Sequence, residues 1–121
     1  MHILVVEDNP VNSKMICRRL SKRGYTTTTA FSGEEGVEAA QSTGPDLILM
    51  DVGLPGIDGL EATRILKTIL STHDIPIIAV TAHAMRDDQD AALAAGCSEY
   101  TTKPIVFDTL IEKIEILRDE A

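Results

Sequence analysis

Apolar and polar residues alternate along the chain with two different periods. Apolar or β-branched runs predict five strands at residues 3–7, 25–31, 46–51, 75–82 and 97–103. The segments between and after them predict helices over residues 9–24, 33–44, 58–70, 85–96 and 107–117. This (βα)5 order favours an α/β fold, in which a parallel sheet carries helices on both faces.

Residues at the helix ends agree with these boundaries. Pro10 suits a first helical turn, and Asp8 could cap it. Ser32 is expected to cap the second helix, while Gly24 and Gly96 suit helix C-termini. We expect two apolar rows to face the core, namely Val11, Met15, Ile16 and Leu20 in the first helix and Phe107, Leu110, Ile114 and Leu117 in the last.

The bulk composition excludes several classes of protein. A chain of 121 residues is long enough for one domain, taken as residues 1–121. Its net charge of −8 disfavours nucleic acid and anionic membranes as direct partners. No apolar run could span a membrane, and the N-terminus lacks a signal-peptide pattern, so we expect a cytoplasmic protein. Cys17 and Cys97 stand alone, as expected of reduced, mostly buried thiols.

Several chemically active side chains follow the predicted strands. The strand ends deliver Glu7 and Asp8, then Asp51, then Thr81, and finally Lys103 with Pro104. Because ligands bind beyond the carboxyl ends of parallel strands, we expect these residues to converge there. Three neighbouring carboxylates repel one another unless a cation joins them, and hard oxygen ligands favour Mg²⁺. A carboxylate can act as a nucleophile toward phosphorus, which makes Asp51 a candidate phosphoacceptor.

The segments that carry these residues resemble a known family. "VVEDN", "DLILMDVGLPGIDG", "IIAVTA" and "YTTKP" are similar, in order and spacing, to the receiver domains of two-component response regulators. The resemblance covers essentially the whole chain. It implies a flavodoxin-like (βα)5 three-layer sandwich, with a five-stranded parallel sheet in the order 2-1-3-4-5.

The resemblance also implies individual roles. Asp51 would be the phosphoacceptor, with Lys103 and Thr81 contacting the phosphoryl group. The metal ligands would be Asp8, Asp51 and the backbone carbonyl of Gly53, with Glu7 acting through a water molecule. Thr81 and Tyr100 would form the conformational switch, and the Lys103–Pro104 peptide would be cis. Gly53 and His83 occupy positions that tune hydrolysis, and the missing side chain at Gly53 leaves the lifetime of the phosphorylated state open.

The implied function is a phosphorylation-dependent switch and not an enzyme acting on other substrates. A sensor histidine kinase or histidine phosphotransfer protein would donate the phosphoryl group, and Asn12, Met15 and Ile16 are candidate contacts for it. The surface formed by helix four, strand five and helix five would then bind a downstream protein or a second copy, giving a monomer or a phosphorylation-dependent dimer. We expect a stand-alone phosphorelay intermediate or protein-binding regulator; the alternative is a receiver excised from a hybrid histidine kinase or multidomain regulator.

Two other functions are alternative hypotheses for this chain. A phosphatase of the haloacid dehalogenase type also uses an Asp nucleophile and Mg²⁺, but it needs a second Asp where this chain has Gly53. A flavodoxin-like nucleotide or flavin binder needs a Gly-rich phosphate loop, and the loop after the first strand is "EDNP".

Overall fold

The computed structural model describes residues 1–82 and 85–120, where five strands alternate with five helices in the predicted order. The strands are β1 (His2–Val6), β2 (Thr26–Ala30), β3 (Leu47–Asp51), β4 (Ile77–Thr81) and β5 (Glu99–Thr102). The helices are α1 (Pro10–Ser21), α2 (Gly33–Thr43), α3 (Gly59–Thr68), α4 (Arg86–Ala95) and α5 (Phe107–Glu120). Most predicted elements are shortened by one or two residues at their ends, where the chain turns.

All strand pairs are parallel, and the sheet order is β2-β1-β3-β4-β5. The three-layer sandwich and its strand order are therefore confirmed. Every residue of β3 and β4 is buried, as expected for central strands covered by helices on both faces. The edge strands β2 and β5 are partly exposed, which agrees with their Thr-rich sequences.

Alternate residues of the strands face two separate cores. On one face, Ile16 and Leu20 of α1 join Leu110, Ile111 and Ile114 of α5. On the other face, the core residues from the helices come from α2, α3 and α4, and they include Ala40, Ala62, Leu66 and Ala92. Because the two cores pack against both faces of the central strands, the positions of the strand ends are fixed relative to one another.

The helix caps are mostly the predicted ones, with two corrections. Gly24 does not end α1, because the helix ends at Ser21 with Lys22 as its C-cap, and Gly24 follows in the turn with a φ of 87°. The cap of α1 is Asn9 and not Asp8, because the Asn9 side chain accepts hydrogen bonds from the backbone N–H groups of Val11 and Asn12 at 2.9 and 3.1 Å. This leaves the Asp8 carboxylate available for other contacts. Ser32 caps α2 as expected. Gly96 ends α4 with a left-handed φ of 112° that favours glycine.

The predicted buried face of α1 is partly wrong. Ile16 and Leu20 are buried, but Val11 is 75% exposed and Met15 is 47% exposed. The buried side of the helix runs through Ser13, Ile16 and Leu20, which lie three and four residues apart. Val11 and Met15 form a neighbouring row, so α1 presents apolar surface to solvent. The predicted apolar face of α5 is confirmed.

Two further expectations concern the membrane and the cysteines. Among the described residues, no helix combines the length and apolar character that a membrane crossing requires. Cys97 is buried and Cys17 is half-buried, and both are free thiols.

Candidate functional site

The carboxyl edge of the sheet brings together side chains from three strand ends. The Lys103 ammonium lies 3.1 Å from Oδ2 of Asp51 and 3.8 Å from Oε2 of Glu7. Glu7, Asp8 and Asp51 each contribute a carboxylate oxygen to a cluster whose atoms lie within 4.8 Å of one another. Glu7 and Asp51 are buried, whereas Asp8 is exposed. The carboxylates of Glu7 and Asp51 therefore form the buried part of the acidic cluster, and that of Asp8 forms its solvent-exposed part.

Local backbone structure holds Asp51 in place. The N–H of Gly53 donates to Oδ1 of Asp51 at 3.0 Å, so the loop after β3 folds back over the carboxylate. Gly59 begins α3 against the same strand end, and a Cβ there would lie 2.1 Å from the Asp51 carbonyl oxygen. Gly59 is thus required for close approach of two backbone segments, and not for a turn conformation.

The neighbouring strands position Thr81 and Lys103. Thr81 is the last residue of β4 and is 4% exposed. Its carbonyl oxygen accepts a hydrogen bond from the N–H of Lys103 at 2.8 Å. The Lys103–Pro104 peptide is cis. Both residues therefore lie at the same edge as Asp51, where the sequence predicts them.

The cluster holds more negative charge than Lys103 balances. Burial and the neighbouring Asp51 carboxylate raise the pKa of Glu7 from 4.5 to about 7, although Asn12 and Lys103 act in the opposite direction. Burial alone would also raise the pKa of Asp51, but hydrogen bonds from Glu7, Gly53 and Lys103 outweigh it and lower that pKa. Of the two carboxyls, Glu7 is therefore the one that retains a proton more readily, and Asp51 is the one that ionises first.

The two predicted switch residues differ in their surroundings. Thr81 is buried near the cluster, whereas Tyr100 is half-buried on β5 and packs against the core beneath α2, α3 and α4. The ammonium of Lys113 lies 5.0 Å from the centre of the Tyr100 ring and also donates to the Tyr100 carbonyl oxygen. His83 lies outside the described residues.

Sequence reasoning missed two participants. Asn12 donates to Oε1 of Glu7 at 3.2 Å, so it belongs to the acidic cluster as well as to the exposed part of α1. A polar residue in the first turn of a helix that directly follows "EDN" could have indicated this contact. The Lys113 ammonium lies 3.6 Å from the Glu99 carboxylate and donates to the Tyr100 carbonyl oxygen. Lys113 is on a different element from both residues, so no local sequence pattern indicates these contacts.

A cavity of about 390 Å³ adjoins the acidic cluster. Its lining includes the polar residues Glu7, Asp51 and Lys103 and the apolar residues Met15, Ile16 and Ile105. Of the residues predicted to contact a donor, Asn12 and Met15 are exposed, whereas Ile16 is buried in the core between α1 and α5 and also lines this cavity. Asp51 can therefore be approached along α1.

Comparisons with known proteins identify the family. The chain matches the family model of the response regulator receiver domain over residues 3–115. It belongs to this family. The chain is similar to the polar-differentiation response regulator DivK of Brucella ovis, with 42% identity over 113 residues that cover 93% of this chain and 92% of DivK.

Solved structures of receiver domains have the same fold. One is the receiver domain of a sensor histidine kinase from Pseudomonas aeruginosa, solved with a magnesium ion coordinated in its active site cleft. It is 39% identical, with a TM-score of 0.85 and coverage of 98% of this chain and 94% of that one. The chemotaxis protein CheY4 of Vibrio cholerae is 25% identical, with a TM-score of 0.90 and coverage of 96% and 97%. Phosphorylation and partner binding are the general function of receiver domains.

The acidic cluster of this receiver domain fits a divalent cation. All of its donors are hard oxygen atoms, and its three carboxylates lie beside the single positive charge of the Lys103 ammonium. Receiver domains bind Mg²⁺ in their active sites. Since Asp8 is open to solvent, part of the coordination sphere can be filled by water, as Mg²⁺ prefers.

Proposed function

We propose that Asp51 accepts a phosphoryl group from a histidine kinase or a histidine phosphotransfer protein. An oxygen of Asp51 forms a bond to phosphorus as the phosphorus–nitrogen bond of the donor breaks, and the electron pair returns to the imidazole nitrogen. The observation that carries this proposal is the 3.1 Å contact between Lys103 and Asp51 beside two further carboxylates. Together with Glu7 and Gly53, Lys103 keeps Asp51 ionised, and its remaining N–H groups can stabilise charge on the transferred oxygens.

The same residues would hold the metal ion. Asp8, Asp51 and the Gly53 carbonyl oxygen are the proposed direct ligands of Mg²⁺, and Glu7 would hold a coordinated water molecule. When bound, Mg²⁺ supplies positive charge that offsets repulsion between the carboxylates and the incoming phosphoryl oxygens. Release of the proton that Glu7 retains would accompany this binding.

Phosphorylation would be read out through Thr81 and Tyr100. The Thr81 hydroxyl would move toward the phosphoryl group, and Tyr100 would turn into the space that Thr81 leaves. This would repack the surface formed by α4, β5 and α5, where a downstream partner binds. The phosphoryl group thus biases a two-state equilibrium and adds negative charge at one end of the sheet.

A small-molecule donor tests the proposal without any partner. Acetyl phosphate with Mg²⁺ should add one phosphoryl group to the wild-type protein, as measured by intact mass, and none to Asp51→Asn. Chelation of Mg²⁺ should also abolish the label. Asp58→Asn is a matched control, because Asp58 only caps α3 through the N–H of Glu61 and lies outside the acidic cluster. Equal labelling of Asp51→Asn and wild type, or steady release of phosphate without a phosphoprotein, would contradict the proposal.

A further inference from the structure

The loop between β3 and α3 contacts the start of α2 as well as the acidic cluster. This β3–α3 loop comprises residues 52–58. Near its beginning, the N–H of Gly53 donates to Oδ1 of Asp51. Near its end, the N–H of Ile57 donates to Oε1 of Glu34 at 3.1 Å. The loop that carries Gly53 is therefore hydrogen-bonded to two carboxylates, one inside the cluster and one on α2.

Glu34 supplies the hydrogen bond to the middle of this loop. Among the residues that the structure describes, residues 54–57 make no hydrogen bond other than the one from Ile57 to Glu34. Leu54 is buried and Ile57 packs against the core, so apolar contacts also keep the loop close to α2. Apolar contacts are not directional, whereas a hydrogen bond requires a defined distance and angle. Glu34 therefore restricts the direction of the loop backbone.

Two glycines permit this contact. Gly56 has a φ of 73°, in the left-handed region that favours glycine, and a Cβ there would lie 2.9 Å from Oε1 of Glu34. Gly33 begins α2, and a Cβ there would lie 2.6 Å from the Ile57 carbonyl oxygen. A side chain at position 56 would therefore displace the Glu34 carboxylate, and one at position 33 would push the two backbone segments apart.

Glu34 and the adjacent Glu35 have different partners. Hydrogen bonds from its own backbone N–H and from that of Ile57 lower the pKa of the Glu34 carboxyl and outweigh the opposite effect of desolvation. Glu34 is thus ionised when it accepts from the loop. Oε2 of Glu35 instead accepts from the N–H of Phe31 at 2.9 Å, in the segment that leads into α2. Glu34 joins α2 to the β3–α3 loop, whereas Glu35 stabilises the start of its own helix.

We propose that Glu34 is a positioning residue for the metal ion and acts through the β3–α3 loop. This inference rests on the proposed function, in which the Gly53 carbonyl oxygen is a direct ligand of Mg²⁺. By holding Ile57, Glu34 limits the conformations of the loop before the ion binds, so less conformational freedom is lost on binding. Loss of this restraint weakens Mg²⁺ binding but leaves the groups around the phosphoryl group unchanged.

A through-space effect of charge is the alternative explanation for any such loss. A carboxylate near the site attracts Mg²⁺ even if it holds no loop. Glu35 controls for this effect, because it is adjacent, exposed, in the same turn of α2 and bonded to one backbone N–H. Glu34→Ala and Glu35→Ala therefore remove the same charge and one hydrogen bond each, but they release different segments. Both side chains are exposed, so both variants should fold.

The first measurements use the metal-free protein and Mg²⁺ alone. Hydrogen exchange followed by NMR reports on the Ile57 amide, and titration calorimetry reports the affinity for Mg²⁺. In Glu34→Ala, we expect faster exchange of the Ile57 amide. We also expect the dissociation constant of Mg²⁺ to rise about 5-fold, less than is usual for a group that contacts a metal ligand directly.

Two further variants separate the hydrogen bond from the charge. Glu34→Gln keeps an oxygen acceptor for the Ile57 N–H, so its Mg²⁺ affinity should stay within about two-fold of wild type. Glu35→Ala loses only an exposed and screened charge near the site, so its affinity should also stay within about two-fold. Neither variant should change exchange of the Ile57 amide.

Phosphorylation then separates binding of the ion from the transfer step. With acetyl phosphate, Glu34→Ala should need about 5-fold more Mg²⁺ than wild type for half-maximal labelling of Asp51. At saturating Mg²⁺ it should label at the wild-type rate, because Glu34 does not contact the reacting atoms.

The possible failures are distinguishable. If wild type neither binds Mg²⁺ nor is labelled by acetyl phosphate, the proposed function fails, and the role of Glu34 fails with it. If wild type does both, the role of Glu34 alone is overturned by wild-type Mg²⁺ affinity or an unchanged Ile57 amide in Glu34→Ala. An equal loss of affinity in Glu35→Ala would assign the effect to charge and overturn the role of the loop contact.

Discussion

Lys103 and Lys67 both bring an ammonium into contact with oxygen atoms inside the fold, but those oxygens differ in kind. Lys103 contacts the carboxylates of Asp51 and Glu7 at the open edge of the sheet. Lys67 donates to two backbone carbonyls in the loop before β4, those of His73 at 3.1 Å and Ile75 at 2.7 Å. One lysine is surrounded by an excess of negative charge, and the other by neutral acceptors.

The surroundings of Lys67 explain its structural role. Its stem packs against Gly96, where a Cβ would lie 2.8 Å from Cγ of Lys67. Burial lowers the pKa of Lys67, with Cys97 and Asp74 acting in the opposite direction. Lys67 therefore joins α3, the α4 C-terminus and a loop into one packed unit. Lys103 instead lies in a cluster whose negative charge it does not fully balance, beside an open cavity. This difference indicates that Lys103, and not Lys67, takes part in chemistry.

The largest expected effect is on phosphorylation after Lys103→Met. Methionine keeps much of the apolar stem but removes the ammonium beside Asp51. We expect labelling by acetyl phosphate with saturating Mg²⁺ to slow about 100-fold, the usual consequence of removing one donor to a developing charge. Lys67→Met is the matched control and should label within about two-fold of wild type. If the two variants label equally, the distinction between the lysines is wrong.

The next prediction concerns the negative charge beside Lys103. When a chelator removes metal ions, the Glu7 carboxyl is protonated in both the folded and the unfolded chain below about pH 4.5. Between about pH 4.5 and 7, the unfolded chain loses this proton before the folded chain does. The free energy of unfolding should therefore fall as pH rises through this range, by up to about 3 kcal/mol, with the loss complete above the folded pKa. Urea unfolding at several pH values should show a smaller fall for Glu7→Gln. Identical slopes for the variant and wild type would rule out the raised pKa of Glu7.

A smaller effect is expected from Lys67→Met on stability. The variant leaves the carbonyl oxygens of His73 and Ile75 without the Lys67 donor, which should lower the free energy of unfolding by about 1–3 kcal/mol. Urea denaturation measures this directly. The solvent-exposed Lys14→Met is the control and should change stability by less than about 0.5 kcal/mol. A stable Lys67→Met protein would remove the structural role assigned to this lysine.

The smallest effect is expected for Lys113, which combines both kinds of acceptor. It contacts the Glu99 carboxylate, the Tyr100 carbonyl and the Tyr100 ring. Since these groups are only partly buried, Lys113→Met should lower the free energy of unfolding by about 0.5–1 kcal/mol. Labelling by acetyl phosphate should not change. A loss of labelling would instead link Lys113 to the site.

Much of the fold could be predicted from the sequence because the signals are local. The buried runs of β1, β3 and β4, the Ser32 cap and the Gly96 helix end each depend on neighbouring residues alone. The exposed faces of the helices were harder to predict from the sequence. Val11 and Met15 are apolar at helical spacing, but only the packing of α1 against the sheet decides which apolar row is buried.

The sequence by itself determined the alternation of strands and helices, and with it the edge of the sheet where Asp51, Thr81 and Lys103 meet. This follows because parallel strands deliver their carboxyl ends to one side. Only the tertiary structure decided the contacts at that edge: the hydrogen bond from Asn12 to Glu7, and the position of the Lys103 ammonium between the carboxylates of Asp51 and Glu7. The first depends on how α1 is oriented against the end of β1, and the second on the distance between residues far apart in the chain, and a local pattern of residues contains neither.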